Sequence, residues 1–139
     1  MATTVRRVRY YHITVRDRPG EGSRVLSDLG SEGVELLAFT AVPTGPGMAQ
    51  IRVFPEDGEA LVRAAERSGI ALQDPGEAFL VRGDESLEAL TRIHRNFADA
   101  GINIYASNGV FDGHGGYCCI IHVRPEDVER AAEVLGVEA

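Results

Sequence analysis

The chain has 139 residues, of which 44% are hydrophobic and 25% charged, and its formal net charge is -7. That length allows one ordinary domain or two small ones sharing an interface, because each half alone buries too little apolar surface to be stable. The acidic balance argues against a nucleic-acid partner, which needs clustered Lys and Arg, and no apolar run approaches the ~20 residues of a membrane span. The one basic cluster, Arg6, Arg7 and Arg9, reads as solvated surface. Met1 to Val15 carries positive charge with no apolar stretch behind it, which is not the pattern of a secretory signal. Cys118 and Cys119 are adjacent, so on a strand they point to opposite faces and do not pair. These features predict a cytoplasmic protein with reduced thiols.

In chain order, Val8–Val15 reads as a strand. A helix follows to Glu32, with Val25, Leu26 and Leu29 on one face. Gly33 stops it and Val34 opens a strand to Val42. The turn Pro43–Gly47 leads to a strand Met48–Phe54. Pro55-Glu56-Asp57 starts a second helix, the proline suiting the first turn and the acids the helix dipole. That helix carries Leu61, Val62 and Ala65 and runs to Ser68. Gly69 and Ile70 repeat the stop-and-start signal, and Ile70–Gln73 reads as a strand. Asp74-Pro75-Gly76 reads as a turn between two units. The second half then repeats the pattern: a strand Ala78–Arg82, a helix with Leu87, Leu90, Ile93 and Phe97, and Gly101-Ile102. Strands Ile102–Phe111 and Tyr117–Val123 flank the turn Asp112–Gly116. Pro125-Glu126-Asp127 precedes a helix with Val128, Ala131, Ala132 and Leu135, and Gly136 and Val137 close with a short strand.

The spacings make this a duplication. Gly33 to Gly101 is 68 residues, Pro55 to Pro125 is 70, and Gly69 to Gly136 is 67. Agreement over nearly the whole chain marks an internal repeat. Each unit reads βαββαβ, which predicts an α+β protein of two tandem ferredoxin-like units, with antiparallel sheets and helices on one face. The predicted units are residues 1–74 and 75–139. In Tyr117–Val123, Cys119, Ile121 and Val123 lie on one face and Cys118, Ile120 and His122 on the other. Both faces are therefore expected to be covered, from which a homodimer is inferred.

The first unit places Asp17-Arg18-Pro19-Gly20 between its first strand and first helix, and that helix ends in Gly33-Val34-Glu35-Leu36. The second unit has Ala100-Gly101-Ile102-Asn103-Ile104-Tyr105, then Ser107-Asn108. From about Val8 to Val137 the chain resembles the ACT domain, a regulatory amino-acid-binding module, and in particular the free-standing tandem ACT proteins. The resemblance implies a regulatory role without catalysis or cofactor, an amino-acid ligand, and a regulated protein partner that the sequence does not identify. It places ligand contacts at Asp17, Arg18, Pro19, Gly20, Glu21 and Gly22, at Leu37, Ala38 and Phe39 on the second strand, and at Tyr105, Ser107 and Asn108. The second unit departs from the pattern, with Gly83-Asp84-Glu85-Ser86 where Pro-Gly would stand, which puts an equivalent second site in doubt.

The chemistry suits such a ligand. Its carboxylate needs N–H donors and positive potential, which the helix start after Pro19-Gly20 supplies. Gly20 and Gly22 allow close approach to the backbone, and Asp17 can accept from an ammonium. Ser107 and Asn108 can hydrogen-bond, and Tyr105 can wall the ligand's side chain. Two plainer readings stand beside this one. Asp17 to Gly20 also suits a turn plus helix cap, and Ser107-Asn108-Gly109 suits a strand bulge. His12, His94, His114 and His122 are scattered without metal-ligand spacing, so no metal is expected. Cys118 with His122 nearby is read as inert packing rather than a nucleophile and base. Two alternatives of other classes remain. One is a metal-dependent vicinal-oxygen-chelate (glyoxalase-like) enzyme, whose opening strand Tyr11-His12-Ile13-Thr14-Val15 resembles. The other is a ligand-free dimerisation module.

Overall fold

The computed structural model describes residues 3–83 and 87–137. Six strands and four α-helices follow in the order β1 (Thr4–Arg16), α1 (Glu21–Ser31), β2 (Leu36–Gly45), β3 (Met48–Pro55), α2 (Gly58–Ser68), β4 (Gln73–Gly83), α3 (Leu87–Asp99), β5 (Ile104–Phe111), β6 (Tyr117–Val123) and α4 (Val128–Leu135). They form two compact units, each an α+β ferredoxin-like arrangement. One unit is Arg9–Gly76; the other joins the described residues up to Val8 to those from Glu77 onward. Strand order is β2-β3-β1-β4 in the first and β1-β4-β6-β5 in the second, and the registered pairings are antiparallel.

Helix ends obey the sequence closely. Gly33, Gly69, Gly101 and Gly136 all adopt left-handed backbone, with φ between 69° and 80°. The β-branched residue after each glycine donates its amide back to the helix: Val34 to Leu29 O (3.1 Å), Ile70 to Ala65 O (2.8 Å), Ile102 to Phe97 O (2.9 Å) and Val137 to Ala132 O (2.9 Å). This is the Schellman closure, which satisfies carbonyls that a helix end would otherwise leave open. The same Gly–Val/Ile pair therefore ends the helix and turns the chain toward the next element.

Several sequence expectations change. Asp74-Pro75-Gly76 does not end a strand; it is a kink within continuous β4, with Asp74 at φ 44°. Gly76 lies so close to Tyr10 that an added Cβ would meet the ring at 2.4 Å, so the segment is held against β1 and continues as strand. Val137 forms no strand. The fourth strand of the second unit is instead Thr4–Val8, the start of β1, where the Thr4 hydroxyl bonds Arg82 O (3.5 Å) and Arg7 pairs with Glu77 (2.6 Å). Pro55 closes β3 rather than opening α2; Asp57 caps that helix, accepting from the amides of Glu59 (3.0 Å) and Ala60 (3.4 Å). The matching Asp127 gives its carboxylate to Arg130 (3.3 Å) and caps nothing. Finally, Leu87 falls at the first position of α3 and is 64% exposed, leaving Ala89, Leu90 and Phe97 as the buried stripe.

Each unit has its own core on the helical face of its strands. In the first, Ile13, Val15, Ile51 and Val53 pack with Val25 and Leu29 of α1 and Leu61 and Ala64 of α2. In the second, Phe79, Val81, Cys119, Ile121 and Val123 pack with Leu90 and Phe97 of α3 and Val128, Ala131 and Ala132 of α4. The helix after the third strand in each unit rules out the glyoxalase-like topology, in which three strands follow a single helix. His12, its would-be metal ligand, is instead tied within the first unit. Arg52 donates Nε–H to His12 Nε2 (2.9 Å), and His12 Nδ1 lies 3.1 Å from Asp74 O. A guanidinium only donates, so Nε2 carries the lone pair and Nδ1 the proton. Arg52 also stacks over the Tyr10 ring at 4.6 Å, a cation–π contact.

Two outcomes follow. Phe97→Ala, which empties a fully buried site in the second core, is expected to cost about 3–5 kcal/mol in denaturant unfolding. Burial, and then the charge of Arg52, hold the His12 pKa below its ordinary value. The folded chain thus binds that proton less readily than the unfolded chain, so its contribution is complete above the ordinary histidine pKa and is lost as pH falls. The melting temperature should drop between about pH 7 and pH 5, and His12→Gln should flatten that slope.

Candidate functional site

The β1–α1 turn follows from local chemistry. Residues Arg16 to Gly20 are exposed. The Asp17 amide donates to Gly47 O (3.0 Å), which pins the turn to the β2–β3 hairpin. Glu21 N–H reaches Arg18 O (3.4 Å) across Pro19 and Gly20. Gly20 has φ 90° and ψ -14°. Proline followed by a left-handed glycine is the signature of a type II turn, and a side chain at the glycine position would be strained. Gly20 then serves as the N-cap of α1, and its carbonyl accepts from Arg24 N–H (2.9 Å).

A glycine cap has no side chain to satisfy the helix amides. No side-chain cap bond forms at α1, and the amides of Gly22 and Ser23 meet no acceptor among the described residues. The Asp17 carboxylate likewise has no partner among them. Asp17 is therefore a turn residue and not a helix cap, in contrast to Asp57 at α2. The turn presents unsatisfied N–H donors at a positive helix end and a free carboxylate three residues away. Around it runs an ion-pair chain: Glu21 lies 3.6 Å from Arg18 and 3.5 Å from Arg24, and Arg24 lies 3.9 Å from Asp28.

The other predicted positions lie elsewhere. Leu37 and Ala38 are half-buried at the start of β2, and Phe39 is exposed. Phe39 pairs with Val53, whereas Arg16, at the turn, pairs with Met48. Five β3 positions, about 17 Å of strand, thus separate Phe39 from the turn within this unit. Tyr105, Ser107 and Asn108 belong to β5 of the other unit. The Tyr105 ring is half-exposed, 5.9 Å from the His122 ring. Asn108 is exposed opposite Ile120. Ser107 is already engaged, 3.3 Å from His94 Nε2 and 3.4 Å from Cys119 Sγ. The one register shift in β5 falls between Ile104 and Ala106, before the Ser107-Asn108-Gly109 bulge that the sequence allows. Asp84, Glu85 and Ser86, at the second unit's equivalent of the turn, lie outside the described residues.

Sequence reasoning missed Arg24, Thr14 and Gln73. They line a cavity of about 250 Å3 in the first unit, beside α1. The Thr14 hydroxyl donates to Gln73 Oε1 (2.7 Å). Glu21 and Arg24 stand at i,i+3 spacing, a helical charge pair legible in sequence; the Thr14–Gln73 bond joins distant strands and leaves no local signal. Among the thiols, burial pushes the Cys118 pKa up, which keeps it protonated and poorly nucleophilic. No group of three or more His, Cys, Asp or Glu among the described residues is placed to hold a metal ion. No described helix is long and apolar enough to cross a membrane.

No family model matches the sequence, and no curated protein sequence matches it. Solved structures do resemble it. A protein of Bacteroides thetaiotaomicron has a TM-score of 0.76 at 15% identity, over 95% of this chain and 88% of that one. The ligand-free regulatory subunit of aspartate kinase from Thermus thermophilus has a TM-score of 0.66 at 15% identity, over 98% and 96% of the two chains. The corresponding subunit from Thermus flavus has 0.58 at 17% identity, over 97% and 94%. Identities this low establish shared architecture, and that architecture is the tandem ferredoxin-like fold of the ACT type.

Proposed function

We propose that this chain is a regulatory, non-catalytic module that binds an amino acid at the β1–α1 turn and passes the bound state to a protein partner, as a homodimer in the cytoplasm. The observation that carries the reading is the uncapped start of α1. The Gly22 and Ser23 amides lack acceptors among the described residues, and Asp17 offers an unpaired carboxylate beside them. A ligand carboxylate suits the amides and the helix dipole, and its ammonium suits Asp17. The likeness to regulatory subunits over nearly the full length of both chains supports a regulatory role. Ligand preference for one conformation would be the signal that the partner reads.

The homodimer reading rests on the edges. β2 and β5 are the outer strands of their units. Neither Leu36–Gly45 nor Ile104–Phe111 contains a charged residue. Phe39, Val42, Val110 and Phe111 are more than half exposed. Uncharged apolar edges pair with other strands unless they are protected. Sedimentation should therefore show a dimer, and Val110→Lys with Phe39→Lys should shift the equilibrium toward monomer. A monomer at all concentrations would overturn this part.

The ligand is tested by thermal shift across the twenty amino acids. Ligand binding to the native state alone raises stability by mass action, about 2.7 kcal/mol at a hundredfold excess over Kd. One or a few amino acids should raise the melting temperature, and Asp17→Ala should abolish the shift. A flat response across the panel, with a tight dimer, would leave a ligand-free dimerisation module in its place.

A further inference from the structure

Arg6, Arg7 and Arg9 read as one basic cluster in the sequence, but the fold treats them differently. Arg7 lies 2.6 Å from Glu77 and 2.6 Å from Glu129. Arg6 also has a partner. Arg9 has none among the described residues, and it lines a cavity of about 550 Å3 within the unit Arg9–Gly76. This size falls within the range of small-molecule sites, roughly 300–1,000 Å3.

The cavity lies between β1 and α2. Tyr11 stands two residues along from Arg9, on the same face of β1. The start of α2 comes close to Tyr11, since a Cβ on Gly58 would sit 3.5 Å from its hydroxyl. Val62 gives an apolar wall and Arg63 a second guanidinium. Arg63 lies 3.8 Å from Glu59, with both side chains mostly exposed, a pair that holds its members only weakly. The helix amides play no part, because Asp57 Oδ1 already accepts from Glu59 and Ala60. Recognition here falls to side chains.

Those side chains carry both signs. Arg9 and Arg63 are cationic; Asp57 and Glu59 are anionic. A phosphate or dicarboxylate would meet the two acids, and a simple amine would meet the two arginines. A molecule with one carboxylate and one ammonium satisfies both pairs. We propose that this cavity binds a small zwitterion, its carboxylate held by Arg9 and Arg63 and its ammonium by Asp57 and Glu59. This site is separate from the β1–α1 turn: Tyr11 pairs with Val53, while the turn begins beyond Arg16, which pairs with Met48. It does not depend on the role of Asp17.

The test is residue-resolved: amide chemical shifts of the full 15N-labelled chain, titrated with each of the twenty amino acids, with acetate, methylamine and inorganic phosphate as comparison probes. Saturable shifts at Arg9, Tyr11, Gly58, Val62 and Arg63 with at least one amino acid are expected, and weaker ones with the three comparison probes. Arg9→Gln and Arg63→Gln should each weaken binding about tenfold or more. Both positions are exposed, and the same spectra report whether each variant is folded. Asp17→Asn should leave these shifts unchanged, which separates the cavity from the turn. The proposal is overturned if no amino acid moves these amides at millimolar concentration, or if shifts appear only around residues 17–23. It is also overturned if phosphate or acetate binds as tightly, or if Arg9→Gln binds as well as the parent chain.

Discussion

The odd-numbered residues Ile13 and Val15 of β1 pack under α1 and α2, while the even-numbered Tyr10 and His12 are buried on the opposite face. Nearly everything in the first unit takes its position from this alternation, because a slip of one residue would exchange the two faces. The helical face is filled by aliphatic side chains, as ordinary hydrophobic burial requires. The other face holds a polar cluster instead: Arg52 over Tyr10, with His12 between Arg52 and the Asp74 carbonyl. Such a cluster tolerates one arrangement of protons only. It fixes the histidine tautomer and the register of β1 against β3, and it holds the backbone of β4 where Asp74 adopts left-handed geometry. Apolar packing stabilises the unit, and the polar cluster specifies its alignment.

Much of this was legible in sequence wherever the cause is local. Four glycines each followed by Val or Ile announced four helix ends, because the Schellman closure needs only residues within six positions. Pro19-Gly20 announced a tight turn for the same reason. Strand partnership is not local. Nothing near Val137 says that its unit closes with Thr4–Val8, and nothing in Asp74-Pro75-Gly76 says that the strand continues through the kink; that depends on Tyr10 and His12 lying beside it. The candidate site divides in the same way. The turn and its free amides follow from a glycine at the cap, whereas Leu37–Phe39 and Tyr105–Asn108 follow from resemblance; the first lie along β2 away from the turn and the second belong to the other unit. Ser107 shows the hazard. Its hydroxyl was available on paper but is spent on His94 and Cys119.

Identical short sequences also behaved differently. Pro-Glu-Asp before α2 yields a capped helix, and before α4 it yields a 3-10 turn whose aspartate pairs with Arg130. The residue after the triplet differs, Gly58 against Val128, and so does the residue three positions after the aspartate, Ala60 against Arg130. The composition of a cap is therefore weak evidence about what the cap does.

The assignment of Thr4–Val8 to the second unit orders events in time. During synthesis Arg7 emerges 70 positions before Glu77 of β4, the strand beside it, an interval on the order of ten seconds at typical elongation rates. Every residue of Arg9–Gly76 is made within that interval, so the first unit can assemble while the strand half preceding it is still without its sheet. The second unit then has to recapture a segment from the far end of the chain, a loop closure that comes late and over long range. A nascent chain of this architecture carries an unpaired strand edge while its first unit is being made, and the arginines at residues 6 and 7 put like charge on that edge, a means of keeping it from pairing with a neighbour before its own partner exists.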